Sequence, residues 1–499
     1  MNYTKSNNSK GIKSLKTVST FLMILFTIFA IKSQNIIPDK KILYKEINGD
    51  SLYLHIFEPQ LSKKPTAVIV FFFGGGWVSG SPKQFYQQSQ YFASRGILAV
   101  SAEYRIQKTH KTSPFDAVED AKSAIRWVRE NSKALNINPN KIIASGGSAG
   151  GHLALCTALI HGFENELENT SLSSVPNAIV AYNPVMDTTK KGYGSKKLVG
   201  RETEISPVHH VKKDLPSTLI FHGKKDKTVP FENAERFTNL MQKAGNNCKL
   251  IAVENVGHGF FNGDFFRKGF GNKYYNVTTY QTDIFLEKLG YLEGKPTLSK
   301  NLIQVSCVGD SNTEMKYPEF LQKELGKNYQ VKNFGKGGAT LLDGTNHPYL
   351  KIDKYKNSLK FIPDIVLIMF GTNDANVWWC LSKKRKTDFV GTPQEEFKSQ
   401  YVKLINSYKK LNENASIYIA TPLPIYEHEK CKDPKIKERR AQMHQWVIPI
   451  IKEVAKEQNV KLIDINTIMK NSYKYTIDGV HLNDEGYKVL ASKIAKEIQ

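Results

Sequence analysis

The sequence has little cysteine, and none of it is arranged to staple a fold. Cys156, Cys248, Cys307, Cys380 and Cys431 lie far apart with no paired spacing, so no disulfide framework is implied. An odd count also leaves at least one free thiol in an exported chain. Neither C-x-x-C nor H-E-x-x-H occurs, which removes sequence support for a built-in metal site, and no cofactor is expected. Acidic residues are scarce: 47 Asp and Glu stand against 70 Lys and Arg, a formal net charge of +23. The excess lysine is scattered instead of gathered with aromatics on one element. Nucleic acid is therefore not an expected partner, and the basic surface favours acidic polymers.

A comfortable membrane span is missing as well. The N-terminal apolar run, Phe21 to Ile31, is short and broken by Thr27. Lys5, Lys10, Lys13 and Lys16 precede it, and Ser33 and Gln34 follow. This is the build of a secretory signal over residues 1–33, cut near Ser33, with an uncleaved single-pass anchor as the competing reading. No cysteine follows the run to carry a lipid. The expected destination is periplasmic or secreted, with no stable membrane insertion after cleavage.

What is present is apolar sequence in short bursts. With 499 residues the chain is too long for one core, and 40% hydrophobic and 11% aromatic content fit a globular protein. Runs at 67–73, 97–102, 141–144, 178–182, 218–222 and 249–253 have the character of strands buried on both faces. Helix-like segments such as 115–132 lie between several of them, which implies a parallel sheet wrapped by helices. The glycine, proline and polar residues of GYLEGKPTLSK then read as a linker. A second buried-strand pattern follows at 302–308, 330–334, 365–370, 416–420 and 461–465. The expected class is α/β in two domains, 38–292 and 301–499, joined by 293–300. The oligomeric state is not legible.

Each half carries a serine in a loop beyond a strand. In the first, Gly146-Gly147-Ser148-Ala149-Gly150 is a G-x-S-x-G elbow between the short strand KIIA and the helical stretch HLALCTALI. The glycines suit a strained strand-to-helix turn, and the helix start aims amide dipoles at a developing oxyanion. A nucleophilic serine needs a base and an orienting acid. Asp226, in GKKDKTVP, and His258, in NVGHGFFN, both follow strand ends, in the chain order Ser–Asp–His. The run FFFGGGW supplies a glycine loop whose N–H groups can turn toward one point.

With FGGGW, SAEYR, DAVEDAKSAIRWVRENS, GGSAGGH, HGKKDKTVPF and GHGF, residues 66–263 resemble the α/β-hydrolase superfamily. Within it they are similar to the hormone-sensitive-lipase-like group and to bacterial acetylxylan or feruloyl esterases. The resemblance implies Ser148, Asp226 and His258 as a triad, and Gly75, Gly76 and Ala149 as oxyanion donors. One departure is Phe73, where many members have histidine before the glycines.

In the second half, Gly309-Asp310-Ser311 follows the strand LIQVSCV. NFGKGGAT and GTND close two further strands, and TIDGVHLNDEG precedes the last helix-like segment. Asp478 and His481 stand three residues apart, so one turn can present both from the same side. His481 could then take the serine proton while Asp478 orients the imidazole. Asn373 and Gly338 could donate to an oxyanion from a side-chain amide and a backbone N–H.

Residues 301–499 thus resemble the SGNH, or GDSL-type, hydrolases, a flavodoxin-like three-layer fold, and among them bacterial carbohydrate O-acetylesterases. The resemblance implies Ser311 as nucleophile, Gly338 and Asn373 as oxyanion donors, and Asp478 and His481 completing the triad. Asn312 and Lys336-Gly337 depart from the family pattern.

Two serine esterase centres on one exported chain lead to the expectation of a carbohydrate O-acetylesterase acting on acetylated polysaccharide or oligosaccharide. Feruloyl or short-chain ester cleavage in the first domain, or one silent glycan-binding domain, are the other readings. Trp77, Trp378 and Trp379 are candidates for stacking on sugar faces.

Overall fold

The computed structural model describes residues 35–59, 67–375 and 391–499. The expected signal segment and Trp378 and Trp379 lie outside them. No helix among the described residues is long and apolar enough to cross a membrane.

The first sheet contains β1 (Lys40–Ile47), β2 (Asp50–Phe57), β3 (Val68–Phe72), β4 (Leu98–Ala102), β5 (Ile142–Gly147), β6 (Ala178–Tyr182), β7 (Ser217–Gly223) and β8 (Cys248–Val253). Their spatial order is β1-β2-β4-β3-β5-β6-β7-β8. From β4 to β8 the pairing is parallel, and β3 to β6 are buried along their whole length. This is why those strands read as continuous apolar runs. β1 and β2 form an antiparallel hairpin that pairs onto β4. The turn is Asn48-Gly49, both at positive φ (52° and 85°), as a tight hairpin requires. The sequence pattern does not reveal this pair, because KKILYKEI at the sheet edge is interrupted by charged residues and forms no long apolar run.

The second sheet contains β9 (Ile303–Gly309), β10 (Tyr329–Asn333), β11 (Ile365–Met369), β12 (Ser416–Ala420) and β13 (Lys461–Ile463), all parallel, in the order β10-β9-β11-β12-β13. Separate apolar clusters cover its faces, one around Phe397, Tyr401 and Ile451 and the other around Tyr317, Leu490 and Ile494. Helices therefore sandwich it in three layers. β9 lies between β10 and β11, where the strand order reverses, and such reversals open a crevice at the carboxyl ends of the strands. Ser311 sits at that edge, beyond β9.

Residues 290–300, linker-like in composition, lie along the first domain. Arg95, held by Asp283, donates Nη2 to the carbonyls of Glu293 (3.0 Å) and Gly294 (2.8 Å). Thr297 N donates to Tyr91 Oη at 3.3 Å, and Leu292 is buried. The glycines permit this strapped path without making it free.

Candidate active sites

Ser148 stands between β5 and the helix Ala149–Leu159 with φ 55° and ψ −120°, a strained conformation for a side-chain-bearing residue. The neighbouring glycines permit it. A Cβ on Gly150 would fall 2.0 Å from the Phe72 carbonyl oxygen, and one on Gly146 would fall 2.4 Å from that of Gly150. The turn lifts Ser148 Oγ to 2.8 Å from His258 Nε2, and His258 Nδ1 lies 2.8 Å from Asp226 Oδ2. A carboxylate only accepts, so Nδ1–H donates to Asp226 and Nε2 is left to accept the serine proton.

Asp226 is buried beyond β7 and takes further hydrogen bonds. Asn183 Nδ2 donates to Oδ2 at 2.6 Å, and the N–H groups of Thr228 and Val229 donate to Oδ1 at 2.8 and 3.0 Å. Burial alone would raise its carboxyl pKa. The hydrogen bonds from His222, His258 and the backbone overcome that and hold it well below the usual carboxylate range.

Gly75 and Gly76 lie beyond β3 with φ of 132° and 63°, and both line a cavity of about 410 Å³ with Ser148 and His258. Ala149 opens its helix, so its N–H has no acceptor within that helix. Gly74 N is engaged differently, donating to Gln84 Oε1 at 2.6 Å. Gln84 Nε2 in turn donates to Asn262 Oδ1 at 3.1 Å. Phe73, the departure from the histidine that the family resemblance implies, stacks on Tyr104 with ring centroids 4.1 Å apart, and Tyr104 Oη donates to the Phe73 carbonyl at 2.8 Å. The polar support absent from position 73 comes from Gln84 and Tyr104.

The second constellation repeats the logic on the other sheet. His481 Nε2 lies 2.9 Å from Ser311 Oγ, and His481 Nδ1 lies 2.7 Å from Asp478 Oδ2. Asp478 Oδ1 accepts the N–H of Val480 (2.9 Å) and of His481 (2.8 Å), so one turn builds acid and base together. Burial would raise the Asp478 carboxyl, and the bonds from His481 outweigh it and lower it. Gly338 takes φ 73° in the loop after β10, and Asn373 Nδ2 donates to the Ala339 carbonyl at 3.0 Å, tying the end of β11 to that loop. Asn312, the departure after the serine, is buried, and its Oδ1 accepts from Tyr487 Oη at 3.0 Å. Asp310 and Asp374 are buried beneath the site, and burial pushes their carboxyls up to about 6 and about 7.

Two Ser–His–Asp relays, each built on loops beyond parallel strands, are the constellation of covalent acyl transfer. Residues 54–241 match the BD-FAE family model, and residues 307–489 match that of the GDSL-like Lipase/Acylhydrolase family. The chain joins a BD-FAE α/β hydrolase to a GDSL-like acylhydrolase. It is a carboxylic ester hydrolase.

Among relatives, an acetylxylan esterase of Xylanibacter ruminicola is 29% identical over 85% of this chain and 89% of its own length. Esterase LipC of Mycobacterium tuberculosis is 28% identical over 40% of this chain and 54% of its own length. A solved esterase of Thermogutta terrifontis, with propionate bound, is 42% identical, covers 52% of this chain and 98% of its own, and has a TM-score of 0.49. The first relative spans both the BD-FAE and GDSL-like domains, whereas LipC aligns with less than half of the chain.

One expected substrate contact is corrected. Trp77 is 1% exposed, packed edge-on against His152 with centroids 5.0 Å apart and tilted against Tyr193. Buried in this way, it offers no face to sugar. Trp378 and Trp379 fall outside the described residues. Gln84, Asn183, Asn262, Asp310 and Asp374 escaped the sequence reading. Gln84 and Asn262 are partners 178 residues apart, whereas Asn183 beyond β6, Asp310 beyond β9 and Asp374 beyond β11 each carried a strand-end signal.

Proposed function

We propose that this chain is an exported carbohydrate O-acetylesterase with two serine centres, acting on acetylated plant or algal polysaccharide of the acetylxylan type. The observation that carries the reading is the pair of relays, Ser148–His258 at 2.8 Å and Ser311–His481 at 2.9 Å, in one chain. The acetylxylan esterase of Xylanibacter ruminicola, matched across 85% of this chain, supports the substrate class. The lysine-flanked apolar run at residues 21–31 supports export to the periplasm or medium.

At each centre the serine Oγ attacks the acetyl carbonyl while the histidine Nε2 takes its proton. The carbonyl oxygen becomes an oxyanion, received by the N–H groups of Gly75, Gly76 and Ala149 in the first domain and by Gly338 and Asn373 in the second. The imidazolium, steadied by Asp226 or Asp478, returns the proton to the departing sugar oxygen. This leaves an acetyl-serine. Water, deprotonated by the same histidine, then releases acetate and restores the serine. Different pockets on the two folds would suit acetyl groups at different ring positions.

The test is acetate release from acetylated xylan, pectin and sialic acid by the wild type, Ser148→Ala, Ser311→Ala and the double variant, with positions followed by NMR. Each single variant is expected to lose a different subset of positions, and the double variant all of them. Identical loss from both single variants would end the division of labour, and no acetate from any glycan would end the carbohydrate reading. Phe261 and Phe266 in the Ser148 cavity favour one further reading, a larger feruloyl or short-chain acyl group at that centre. Release of aromatic acid there would mark it.

A further inference from the structure

The loop that brings His258 to Ser148 is closed against the second domain. After β8 the chain folds back through Gly259, Gly269 and Gly271, all at positive φ. Asp264 and Asn272 pin it: Asp264 Oδ1 accepts the Gly269 N–H at 2.8 Å, and Asn272 Oδ1 accepts the Asp264 N–H at 2.8 Å. The same two residues reach the GDSL-like domain. Lys332, on β10, pairs its ammonium with Asp264, and Asn272 N donates to Gln330 Oε1 at 2.7 Å. Lys273 follows, with its N–H on Gln304 Oε1 at 2.9 Å and its ammonium on Asp364. Gly271 packs so closely that a Cβ there would meet Gln304 Oε1 at 2.6 Å and the Phe361 ring at 2.7 Å.

On its inner side the loop meets the first site. Arg267 Nη1 donates to the carbonyls of His258 and Gly259, each at 3.3 Å. Asn262 Nδ2 donates to the Gly259 carbonyl at 2.8 Å, and Asn262 receives Gln84 from the oxyanion side. A cavity of about 260 Å³ behind His258 has walls from both domains, Phe260, Arg267 and Tyr274 on one side and Gln304 and Phe361 on the other.

We infer that the GDSL-like domain braces the first active site, with Lys332 and Gln330 as positioning residues for His258. The inference rests on Ser148 being an ester-cleaving centre, and it goes beyond that reading by making the first centre dependent on the second domain's surface. General-base catalysis tolerates little displacement: about 1 Å of misplacement costs on the order of a hundredfold in rate. Held only by its own few hydrogen bonds, a glycine-bearing loop would sample more conformations than one fixed at both pins. The Lys332–Asp264 pair is two-thirds or more shielded from solvent, so water and salt screen it less than an open surface pair.

The test uses the full-length chain carrying Ser311→Ala, so that hydrolysis of p-nitrophenyl acetate reports Ser148 alone. Lys332→Ala combined with Gln330→Ala is expected to lower kcat roughly tenfold with KM changed less than about twofold. Lys332→Arg alone keeps the rate, and amide exchange across 257–272 accelerates in the double variant. In a Ser148→Ala chain the same pair of changes leaves hydrolysis at Ser311 unaltered. An unchanged kcat at Ser148 despite faster exchange in the loop overturns the inference. Parallel losses at both centres with a lower Tm do so too, since they report general destabilisation. An inactive Ser311→Ala parent removes the Ser148 assignment itself, and the inference with it.

Discussion

Gln84 and Asn262, 178 residues apart in the chain, are joined by a 3.1 Å hydrogen bond that bridges the glycine loop and the histidine loop of the first site. Gln84 is 8% exposed, and its other atom takes the Gly74 N–H at 2.6 Å. One side chain thus spaces the oxyanion side of the cavity from the base side. Gln84→Ala leaves a buried N–H unpaired, a loss of about 1–3 kcal/mol. The expected outcome in a Ser311→Ala background is a kcat for p-nitrophenyl acetate reduced at least tenfold, with Gln84→Glu recovering part of it because the acceptor for Gly74 remains.

Asp226 in the first domain and Asp310 and Asp374 in the second should respond oppositely to pH. Asp226 is held below its unfolded pKa, so its stabilisation is present above about pH 4 and drains away as acid protonates the folded carboxylate. Asp310 and Asp374 are raised to about 6 and about 7, so their contribution is complete below pH 4 and is lost as pH climbs through that range. Thermal unfolding at a series of pH values is expected to show the first domain weakening in acid and the second weakening toward pH 8.

Asp374→Asn isolates the second effect. The Asp374 Oδ1 that accepts the Leu341 and Leu342 N–H groups at 2.8 and 3.1 Å survives as an amide oxygen, while the buried charge disappears. The variant is expected to gain about 1–3 kcal/mol for the second domain at pH 8 and little at pH 4. Calorimetry at the two pH values reads it, and a uniform loss at both would contradict the assignment.

Gly150→Ala tests the elbow. The added methyl would meet the Phe72 carbonyl at 2.0 Å and the Phe73 carbonyl at 2.4 Å, both backbone atoms that cannot swing aside. We expect loss of Ser148 activity and at least about 3 kcal/mol of first-domain stability, with hydrolysis at Ser311 retained. Denaturant unfolding beside activity in the Ser148→Ala and Ser311→Ala backgrounds separates the two outcomes.

Trp77 should behave as a core residue. Its truncation to alanine is expected to remove about 3–5 kcal/mol of stability. Trp77→Phe, which keeps a ring against His152, should leave KM for acetylated oligosaccharide near the wild-type value. A KM rise in a stably folded Trp77→Phe protein would return the residue to the substrate.

Much of the site could be read along the chain because α/β sheets put their chemistry at strand ends. A run such as VIVFF announces a strand buried on both faces, and the first residues beyond it are where a loop must turn. Ser148, Asp226, His258 and Ser311 all occupy such places, whereas His481 lies in the turn before the last helix, Asp484–Ile498. The β1–β2 hairpin was not legible, since an edge strand has no continuous apolar run to betray it, although Asn48-Gly49 was a usable turn signal. Nor was the burial of Trp77, which depends on packing against His152 and Tyr193, far along the chain.

By itself, the order of residues determined the parallel strands of two sheets and which loops carry a nucleophile, a base and an acid, because apolar periodicity and glycine-bearing turns act over a few positions. The tertiary structure alone decided how those loops are held: Gln84 against Asn262, Asn183 against Asp226, the strap of residues 290–300, and Lys332 against Asp264. These are contacts between groups tens to hundreds of positions apart, formed only when packing removes water from both partners. No local pattern encodes them, since either residue alone would be equally content in solvent.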